Sequence, residues 1–500
     1  MNKAKPQVVF FSRVNFYMLF GRIKSDLFEC LHVVMNRRER AEAEAMGCQV
    51  VGCFEQEYDS LPVADIPSRF LRANFYPDRF LKPLPLEKRR ELLGKMITFW
   101  RRIFDTHQPA ACVHDTVSIE SEEVVTGVCK QLGIHDMTYG WPPVPGFFFW
   151  KSDPYSTSIS QEMWKSAQPD EEHFQIARDI VAKIRDKTFS LPYYSYFDPD
   201  FRHLGKGSLL ELWVVYQLSK VCHKLPTTLG VRALRRWCRK RGYPLPCPLE
   251  PHDWRNLVFH SINCLKLPRH YIHEIYDEWC RRRYRYDNLD DYKNFRLIAY
   301  PLHFEPESTT LYFAPECSDQ AATISTIARN LPLDTVLVVK EHPSQPGRLL
   351  TREFQNARLN NPNVCFLPGK VTNYEILSRC DAVATATSTL GWEALCYGKP
   401  VVVFGDVYYD KHPQVTKLTH PSQIRELDLN KLPLPKQEEC ELLLAKLLSL
   451  CHAGNVSVAS LDDKNIANVT AAIEKELLGL CHSSGNFYNS KHSMSSVCKL

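Results

Sequence analysis

Two stretches decide the fold: Thr335-Val-Leu-Val-Val-Lys-Glu-His-Pro343 and Asp381-Ala-Val-Ala-Thr-Ala-Thr-Ser-Thr-Leu-Gly391. Each is an apolar run of strand length that ends in polar residues and is followed by a helix-like segment. Because alternating strands and helices build a parallel sheet, both polar ends should lie at one edge of that sheet. Open α/β sheets bind ligands at this edge. The region from Asp334 to Tyr409 therefore predicts a ligand-binding crevice.

The residue types at this edge predict a phosphate site. Ser388 and Thr389 stand where a strand turns into a helix, and a helix N-terminus offers N–H groups and a positive dipole end to an anion. Gly391 permits close approach of the backbone. His342, on a loop stiffened by Pro343, can donate to the same phosphate from the neighbouring strand.

Charged residues beside this site have two interpretations each. Glu393 can accept from ribose hydroxyls or merely complement the helix dipole. Lys340 and Lys399 can meet phosphate or serve as surface charge. Asp381 is expected to cap or begin its strand. Taken together, the crevice predicts a nucleotide-sugar site.

The N-terminal part of the chain reads as a first Rossmann-like domain. Its strand and helix patterns alternate, and it has no GxGxxG sequence, so a dinucleotide is not indicated. The predicted strands are Gln7 to Ser12, Cys30 to Met35, Gln49 to Phe54, Ala110 to His114 and Asp136 to Tyr139, and the longer helices are Arg37 to Met46 and Glu87 to Phe104.

Carboxylates follow one strand of this first domain. Asp115 comes directly after the strand, and Glu120 and Glu122 lie a few residues further on. They can supply a general base or an acceptor-binding group at the crevice. Alternatively, Asp115 or Ser118 caps the next helix and the glutamates complement its dipole. The segment Tyr139 to Trp150 reads as a loop, serving either as an acceptor-side wall or as an interdomain contact.

The first strand of the second domain, Phe295 to Tyr300, opens into a long polar loop, Pro301 to Thr310. Loops of this length after a strand usually have a function. Three of its residues, His303, Glu305 and Glu307, carry side chains that can act in acid–base chemistry.

The predicted organisation has five parts. They are residues 1–205, an N-terminal Rossmann-like acceptor-side domain; 206–292, a basic helical insert; 293–425, a Rossmann-like nucleotide-sugar-binding domain; 426–480, C-terminal helices; and 481–500, a disordered tail.

Composition excludes several classes of protein. The net charge of +5 is mild and does not indicate nucleic acid. The 18 cysteines include no CxxC pair, which argues against zinc and favours the reducing cytosol. The sequence holds no apolar run of membrane-spanning length. The basic runs of the insert fit either an anionic membrane surface, here the cytoplasmic membrane, or a solvated helix face.

Three motifs carry a resemblance. Pro301 to Thr310, Val339-Lys-Glu-His-Pro343 and Ser388-Thr-Leu-Gly-Trp-Glu-Ala-Leu395 with Gly398-Lys-Pro-Val-Val402 resemble the capsule polysaccharide biosynthesis family. That family includes bacterial β-Kdo transferases that act on capsule lipid anchors. The resemblance implies a GT-B fold, α/β with two Rossmann-like domains facing a central cleft, in which the second domain holds the donor and the first the acceptor.

The resemblance also implies roles for single residues. His342 would contact the donor phosphate with Ser388 and Thr389, and Glu393 would bind the nucleoside. The His303 loop would line the crevice near the sugar. Candidates for the catalytic carboxylate are, in this order, Glu307, Glu305 and Asp115.

We therefore predict a cytoplasmic glycosyltransferase that moves a sugar, Kdo-like or other, from a nucleotide-activated donor such as a CMP-sugar onto a surface polysaccharide or its lipid anchor. No cofactor beyond the nucleotide-sugar co-substrate is expected, and the absence of a DxD motif from the crevice loops predicts metal independence. Two other hypotheses remain open, an epimerase or hydrolase of the UDP-N-acetylglucosamine 2-epimerase type and a non-catalytic polysaccharide assembly protein.

Overall fold

The computed structural model describes residues 5–67, 70, 84–188, 214, 217, 276–277, 279–305 and 309–483. Glu307, nearly all of the predicted basic insert and the predicted tail from residue 484 onward lie outside the described residues. The predicted fold class, α/β with two Rossmann-like domains of GT-B type, is confirmed because two separate parallel sheets each carry helices. The predicted domain boundaries stay predictions.

The first sheet has five parallel strands in the order β3-β2-β1-β4-β5. The strand order reverses between β1 and β4, whose registers include Val9 opposite Cys112. Buried Val, Phe and Leu side chains fill the strands because helices cover both faces. The strands are β1 Gln7–Phe11, β2 Glu29–Val34, β3 Val50–Cys53, β4 Ala111–Val113 and β5 His135–Met137.

The second sheet has six parallel strands in the order β10-β9-β8-β11-β12-β13, and its order reverses between β8 and β11. Asp381 directly precedes β11, as predicted, and its carboxylate accepts from Leu297 N–H at 2.8 Å, which joins the start of β11 to β8. The strands are β8 Arg296–Pro301, β9 Thr335–Lys340, β10 Val364–Leu367, β11 Ala382–Thr385, β12 Val401–Val403 and β13 Val415–Lys417.

Several helices begin at a side-chain cap. Asn36, Ser160, Asp170, Asp319, Thr372 and Ser388 each accept a backbone N–H from the first turn that follows them. The helices are α1 Tyr17–Phe20, α2 Arg37–Ala45, α3 Phe54–Glu57, α4 Leu86–His107, α5 Glu120–Leu132, α6 Gln161–Ser166, α7 Glu171–Arg185, α8 Gln320–Asn330, α9 Arg352–Leu359, α10 Asn373–Arg379, α11 Thr389–Cys396, α12 Gln437–Ser449 and α13 Asp463–Ser483.

The segment from Tyr139 to Trp150, predicted to be a loop, is a hairpin. Its strands β6 Tyr139–Gly140 and β7 Phe147–Trp150 pair antiparallel, and β14 His452–Ala453 adds a third strand. The three prolines and Gly146 lie in the turn, whereas Gly140 and the aromatic run pair in the strands, so the prolines and glycines misled the prediction. Val144 and Phe149 are buried in a core shared with the second domain, which matches the interdomain-contact interpretation.

The C-terminal helices connect the domains. Helix α12 packs on α7, whereas α13 returns to the first sheet, where Val469 and Ile473 share a core with Val8 and Phe10. In the described part of the chain, no helix combines the length and apolar character needed to cross a membrane.

Candidate functional site

The site is built at the strand-order reversal of the second sheet, where β8 and β11 are neighbours. His303 follows β8, Thr387 follows β11, and His342 follows β9 on the other side of β8. The three loops therefore leave the same edge of the sheet, as the sequence predicted. A crevice opens at such a reversal because the connections on its two sides turn to opposite faces.

His303 joins two of these loops. Its Nε2 accepts from Thr387 N–H at 3.2 Å, and its backbone exchanges two hydrogen bonds with the Gln320 side chain. Burial, reinforced by the nearby His342, lowers the pKa of His303 to about 3, so the ring is neutral near pH 7. Because Nε2 is engaged and the ring is buried, the geometry gives His303 a positioning role rather than the predicted catalytic one.

His342 is a neutral donor. Burial, with a contribution from Lys340, lowers its pKa to about 4. Its Nδ1 accepts from Ser344 N–H at 3.2 Å, which assigns the proton of the neutral ring to Nε2. The ring stands edge-to-face on Phe304, with centroids 5.8 Å apart. An Nε2–H group held in this way suits a phosphate oxygen.

The loop that carries His342 is held by its buried neighbour Glu341. The Glu341 carboxylate accepts from Tyr286 Oη at 2.8 Å, from Leu349 N at 3.0 Å and from Gly369 N at 3.4 Å. Gly369 packs against the backbone of residues 341–343 so closely that a methyl group there would crowd it. Pro343 thus stiffens a loop that the tertiary contacts already fix.

Glu305 links the first loop to the His342 loop. Its carboxylate pairs with Arg348 at 2.7 Å, and its backbone exchanges two hydrogen bonds with the Gln345 side chain. Because its carboxylate is occupied by the Arg348 guanidinium, the geometry favours a structural role for this catalytic candidate. The first candidate, Glu307, lies outside the described residues.

The Ser/Thr turn has the local geometry of an anion site. Ser388 caps α11, its hydroxyl oxygen accepting from Leu390 N–H at 3.2 Å, so its own proton can still be donated. Thr389 is half-buried at the first helical position. The hydroxyl of Thr387 is buried and has no hydrogen-bond partner within the described chain, which is costly unless a ligand supplies one.

Gly391 has a different task from the predicted one. Its missing side chain makes room for Tyr409, because a methyl group at this position would collide with the Tyr409 ring. The Tyr409 hydroxyl donates to the Ser388 carbonyl oxygen at 2.5 Å. The close approach is therefore to a buried tyrosine that fixes the turn, rather than to a phosphate.

Lys340 and Glu393 are connected by an amide. Asn373 accepts from Lys340 Nζ at 2.9 Å and donates to both oxygens of Glu393 at 2.9 and 3.1 Å. Burial lowers the pKa of Lys340 and raises that of Glu393, and each group partly opposes the shift of the other. The predicted contacts of Lys340 with phosphate and of Glu393 with the nucleoside stay predictions. Asn373 carries no sequence signal beyond following a capping threonine.

The first domain has its own strand-order reversal, between β1 and β4, and buried ion pairs fill it. Arg13, after β1, pairs with Glu122, and Arg89 pairs with Glu120 at 2.6 Å. Both glutamates have 0% exposure. The prediction that Glu120 and Glu122 contact the acceptor is wrong in this geometry, because each is enclosed with an arginine of its own domain.

Asp115 does not cap the next helix, and neither does Ser118. That helix begins at Glu120 after Ile119, which offers no capping side chain. One Asp115 oxygen accepts from Thr116 N at 2.7 Å and from Tyr139 Oη at 2.6 Å. The carboxylate is half-buried, and Asp115 stays the catalytic candidate of the first domain.

Behind Asp115 lies a buried histidine that the sequence analysis did not single out. His114 Nε2 contacts Asp136 at 2.6 Å, and Nδ1 lies 2.7 Å from the Asp115 carbonyl oxygen. Burial opposes the charged form, but Asp136 outweighs it and raises the pKa of His114 to about 9. The ring is therefore protonated and donates both protons.

A metal-ion centre is not evident in the part of the chain that the structure describes, where no group of three His, Cys, Asp or Glu side chains could hold one. Metal independence stays a prediction.

Comparison with known families gives a match that includes all three motifs. Residues 249–453 match the family described as capsule polysaccharide biosynthesis protein. The resemblance predicted from the sequence is confirmed over this part of the chain. A shorter similarity, 36% identity over 77 residues, relates 15% of this chain to 18% of Protein FixF from Sinorhizobium fredii.

Solved structures align over nearly the whole chain but only loosely. The β-Kdo 2,7 transferase of Thermosulfurimonas dismutans KpsC covers 94% of this chain and 100% of its own, at 13% identity and a TM-score of 0.33. A putative UDP-N-acetylglucosamine 2-epimerase from Listeria monocytogenes covers 95% and 97%, at 12% identity and a TM-score of 0.27. Likenesses this distant carry no inference about activity.

Proposed function

We propose that the protein is a glycosyltransferase of capsule or surface polysaccharide synthesis. It would move a sugar, of the Kdo type, from a CMP-activated donor onto a polysaccharide or its lipid anchor, at the cytoplasmic face of the membrane. The observation that carries the proposal is the convergence of neutral donors at the strand-order reversal of the second sheet, within the segment that matches the capsule family.

The reaction requires hydrogen-bond donors around the leaving phosphate. When the sugar–phosphate bond breaks, negative charge grows on the leaving phosphate. His342 Nε2–H, the hydroxyls of Ser388 and Thr389 and the start of α11 would stabilise that charge. Because these groups are fixed by Glu341, His303 and Tyr409, they need little reorganisation during the reaction.

The acceptor must lose a proton as its hydroxyl attacks. Asp115 is the described carboxylate best placed for this task on the first domain, since Tyr139 and Thr116 bind one of its oxygens and leave the other for a ligand. Glu307 remains the competing candidate of the second domain. Comparing Asp115→Asn with Glu307→Gln in the transfer assay distinguishes them.

The test uses the full chain with CMP-, UDP- and GDP-sugars. CMP is expected to raise the apparent melting temperature, since a ligand that binds only the native state stabilises it. Release of the nucleotide should require an acceptor glycolipid. His342→Ala should lower the turnover by roughly 100- to 1,000-fold, the usual cost of losing one such donor.

Three outcomes contradict the proposal. An epimer or free sugar formed from the donor alone would identify an epimerase or hydrolase. Binding of nucleotide without turnover in the presence of several acceptors would favour an assembly protein. Unchanged turnover in His342→Ala, with the fold intact by circular dichroism, would remove the proposed phosphate site.

A further inference from the structure

Lys151 places a buried amino group where the two domains meet. It directly follows β7 and is 7% exposed. Its Nζ donates to Thr116 Oγ1 at 2.6 Å and lies 4.4 Å from the centre of the Phe313 ring. Thr116 belongs to the loop after β4 of the first domain, whereas Phe313 ends a short helical turn, Thr309–Phe313, at the end of the polar loop after β8 of the second. The ammonium group therefore lies between the two crevice-lining loops.

The charge of Lys151 is poorly compensated by the protein. Besides Thr116, only the carbonyl oxygen of Pro154 accepts from it, at 3.5 Å, and within the described ranges no carboxylate forms an ion pair with it. Asp115, Asp153 and Asp136 act at longer range and do not prevent burial from lowering the pKa of Lys151 to about 7. A buried cation without a paired anion costs free energy unless something else supplies the charge.

One layer of residues separates Lys151 from the phosphate turn. The Phe313 carbonyl oxygen accepts from Asp406 N at 3.0 Å. At the neighbouring Gly405, an added methyl group would lie 2.7 Å from Thr387 Cγ2 and 2.9 Å from the Phe313 carbonyl oxygen, so both residues pack closely around this glycine. Thr387 opens the Ser/Thr turn. An anion at Lys151 would thus lie beside a donor bound at that turn.

We propose that Lys151 binds the carboxylate of a sugar acid in the crevice. The inference rests on the proposed function, and it adds the residue that selects an acidic sugar over a neutral one. A carboxylate would accept from the ammonium group and neutralise the charge between the domains. Because the ammonium group contacts loops of both domains, the ligand would also hold the two domains together.

The binding test compares two probes on the full chain loaded with CMP. The probes are the methyl glycoside of Kdo and its carboxamide, which has the same shape without the charge. Calorimetry should give the carboxylate probe roughly tenfold or more tighter binding in the native protein. Lys151→Met should bring the ratio of the two dissociation constants close to one, and Lys151→Arg should keep most of the preference for the carboxylate probe.

The matched control is Lys165→Met, which removes an exposed lysine of α6. It should leave the preference unchanged, and both methionine variants should keep the native affinity for CMP. Equal preference in the native protein and in Lys151→Met would overturn the inference, as would a native protein that binds both probes alike.

Transfer assays then identify the source of the carboxylate. If Lys151→Met raises KM only for acceptors that end in a sugar acid, the acceptor supplies it; if KM rises for the donor, the donor does. Either result supports the inference. If the carboxylate probe binds in a Lys151-dependent way but no sugar is transferred, the carboxylate site is supported and the proposed glycosyltransferase function is contradicted.

Discussion

The strand-order reversals of the two sheets have the same topology and opposite chemistry. In the first domain, Arg13 with Glu122, Arg89 with Glu120 and His114 with Asp136 form buried pairs whose charges cancel. In the second domain, the corresponding edge holds neutral imidazoles, hydroxyls and a helix N-terminus.

This difference shows how one architecture serves two purposes. Paired charges saturate one another, so these three pairs act as a structural joint of the first domain. Neutral donors are oriented by their neighbours without forming ion pairs, so the second reversal keeps hydrogen-bond donors for a ligand. Variants that break one of these pairs should therefore affect stability, and those that remove a donor at the second reversal should affect binding.

The largest effect is expected from Arg13→Met. It leaves Glu122 buried without its arginine, which should lower the free energy of unfolding by about 3–5 kcal/mol. Denaturant unfolding measures the loss, and the CMP affinity of the folded fraction should not change. Adding Glu122→Leu should restore much of the stability, because an apolar pair of similar volume replaces the ion pair. A double variant as unstable as Arg13→Met would show that the pair is not the cause.

A pH profile tests the contrast between the histidines. The pKa of His114 is raised to about 9 in the fold, against about 6.5 when unfolded, so its contribution is complete below pH 6.5 and is lost as the pH rises through 9. His114→Gln should therefore lower the unfolding free energy at pH 6 by about 3 kcal/mol, and the deficit should shrink towards pH 10.

His342→Gln provides the opposite trend. Because its pKa is lowered to about 4, His342 stabilises the fold fully above pH 6.5 and less as the pH falls through 4. The stability difference from the native protein should therefore shrink in acid. Urea unfolding at several pH values measures both variants, and two differences that do not vary with pH would contradict the assigned protonation states.

Gly391→Ala should cost about 1–3 kcal/mol, since overpacking forces Tyr409 out of its buried position. The melting temperature reports the loss. Gly479→Ala is the control, because a methyl group there meets nothing within 4 Å and should not lower the melting temperature. An equal response of the two variants would contradict the close packing at Gly391.

The smallest effect on stability is expected from Ser388→Ala, about 1 kcal/mol for a lost helix cap. It should also weaken CMP binding, because the hydroxyl donor is removed. Thr372→Ala removes a comparable cap, because the Thr372 hydroxyl accepts from Glu375 N–H at 3.2 Å at the start of α10. Binding assays on both variants separate the roles: if CMP affinity falls equally in both, Ser388 acts only through the stability of its helix.

Local patterns in the sequence predicted the strands and helices well, and they predicted the roles of some residues. The apolar strands and capped helices lie within a few residues of their predicted bounds, because burial on both faces demands continuous apolar runs. Ser388 begins a helix as predicted. The hairpin from Tyr139 to Trp150 was missed, since its pairing depends on partners rather than on composition.

By itself, the sequence determined that two parallel α/β sheets would form and that His342 and the Ser388 turn would share one edge, because strand periodicity and chain order are local properties. Only the tertiary structure decided which charges are buried together. Glu122 meets an arginine more than a hundred residues away, and Lys151 meets Thr116 and Phe313 without a carboxylate. These contacts join residues that are far apart in the chain, so they depend on which segments the fold buries together. A local sequence pattern does not contain that information.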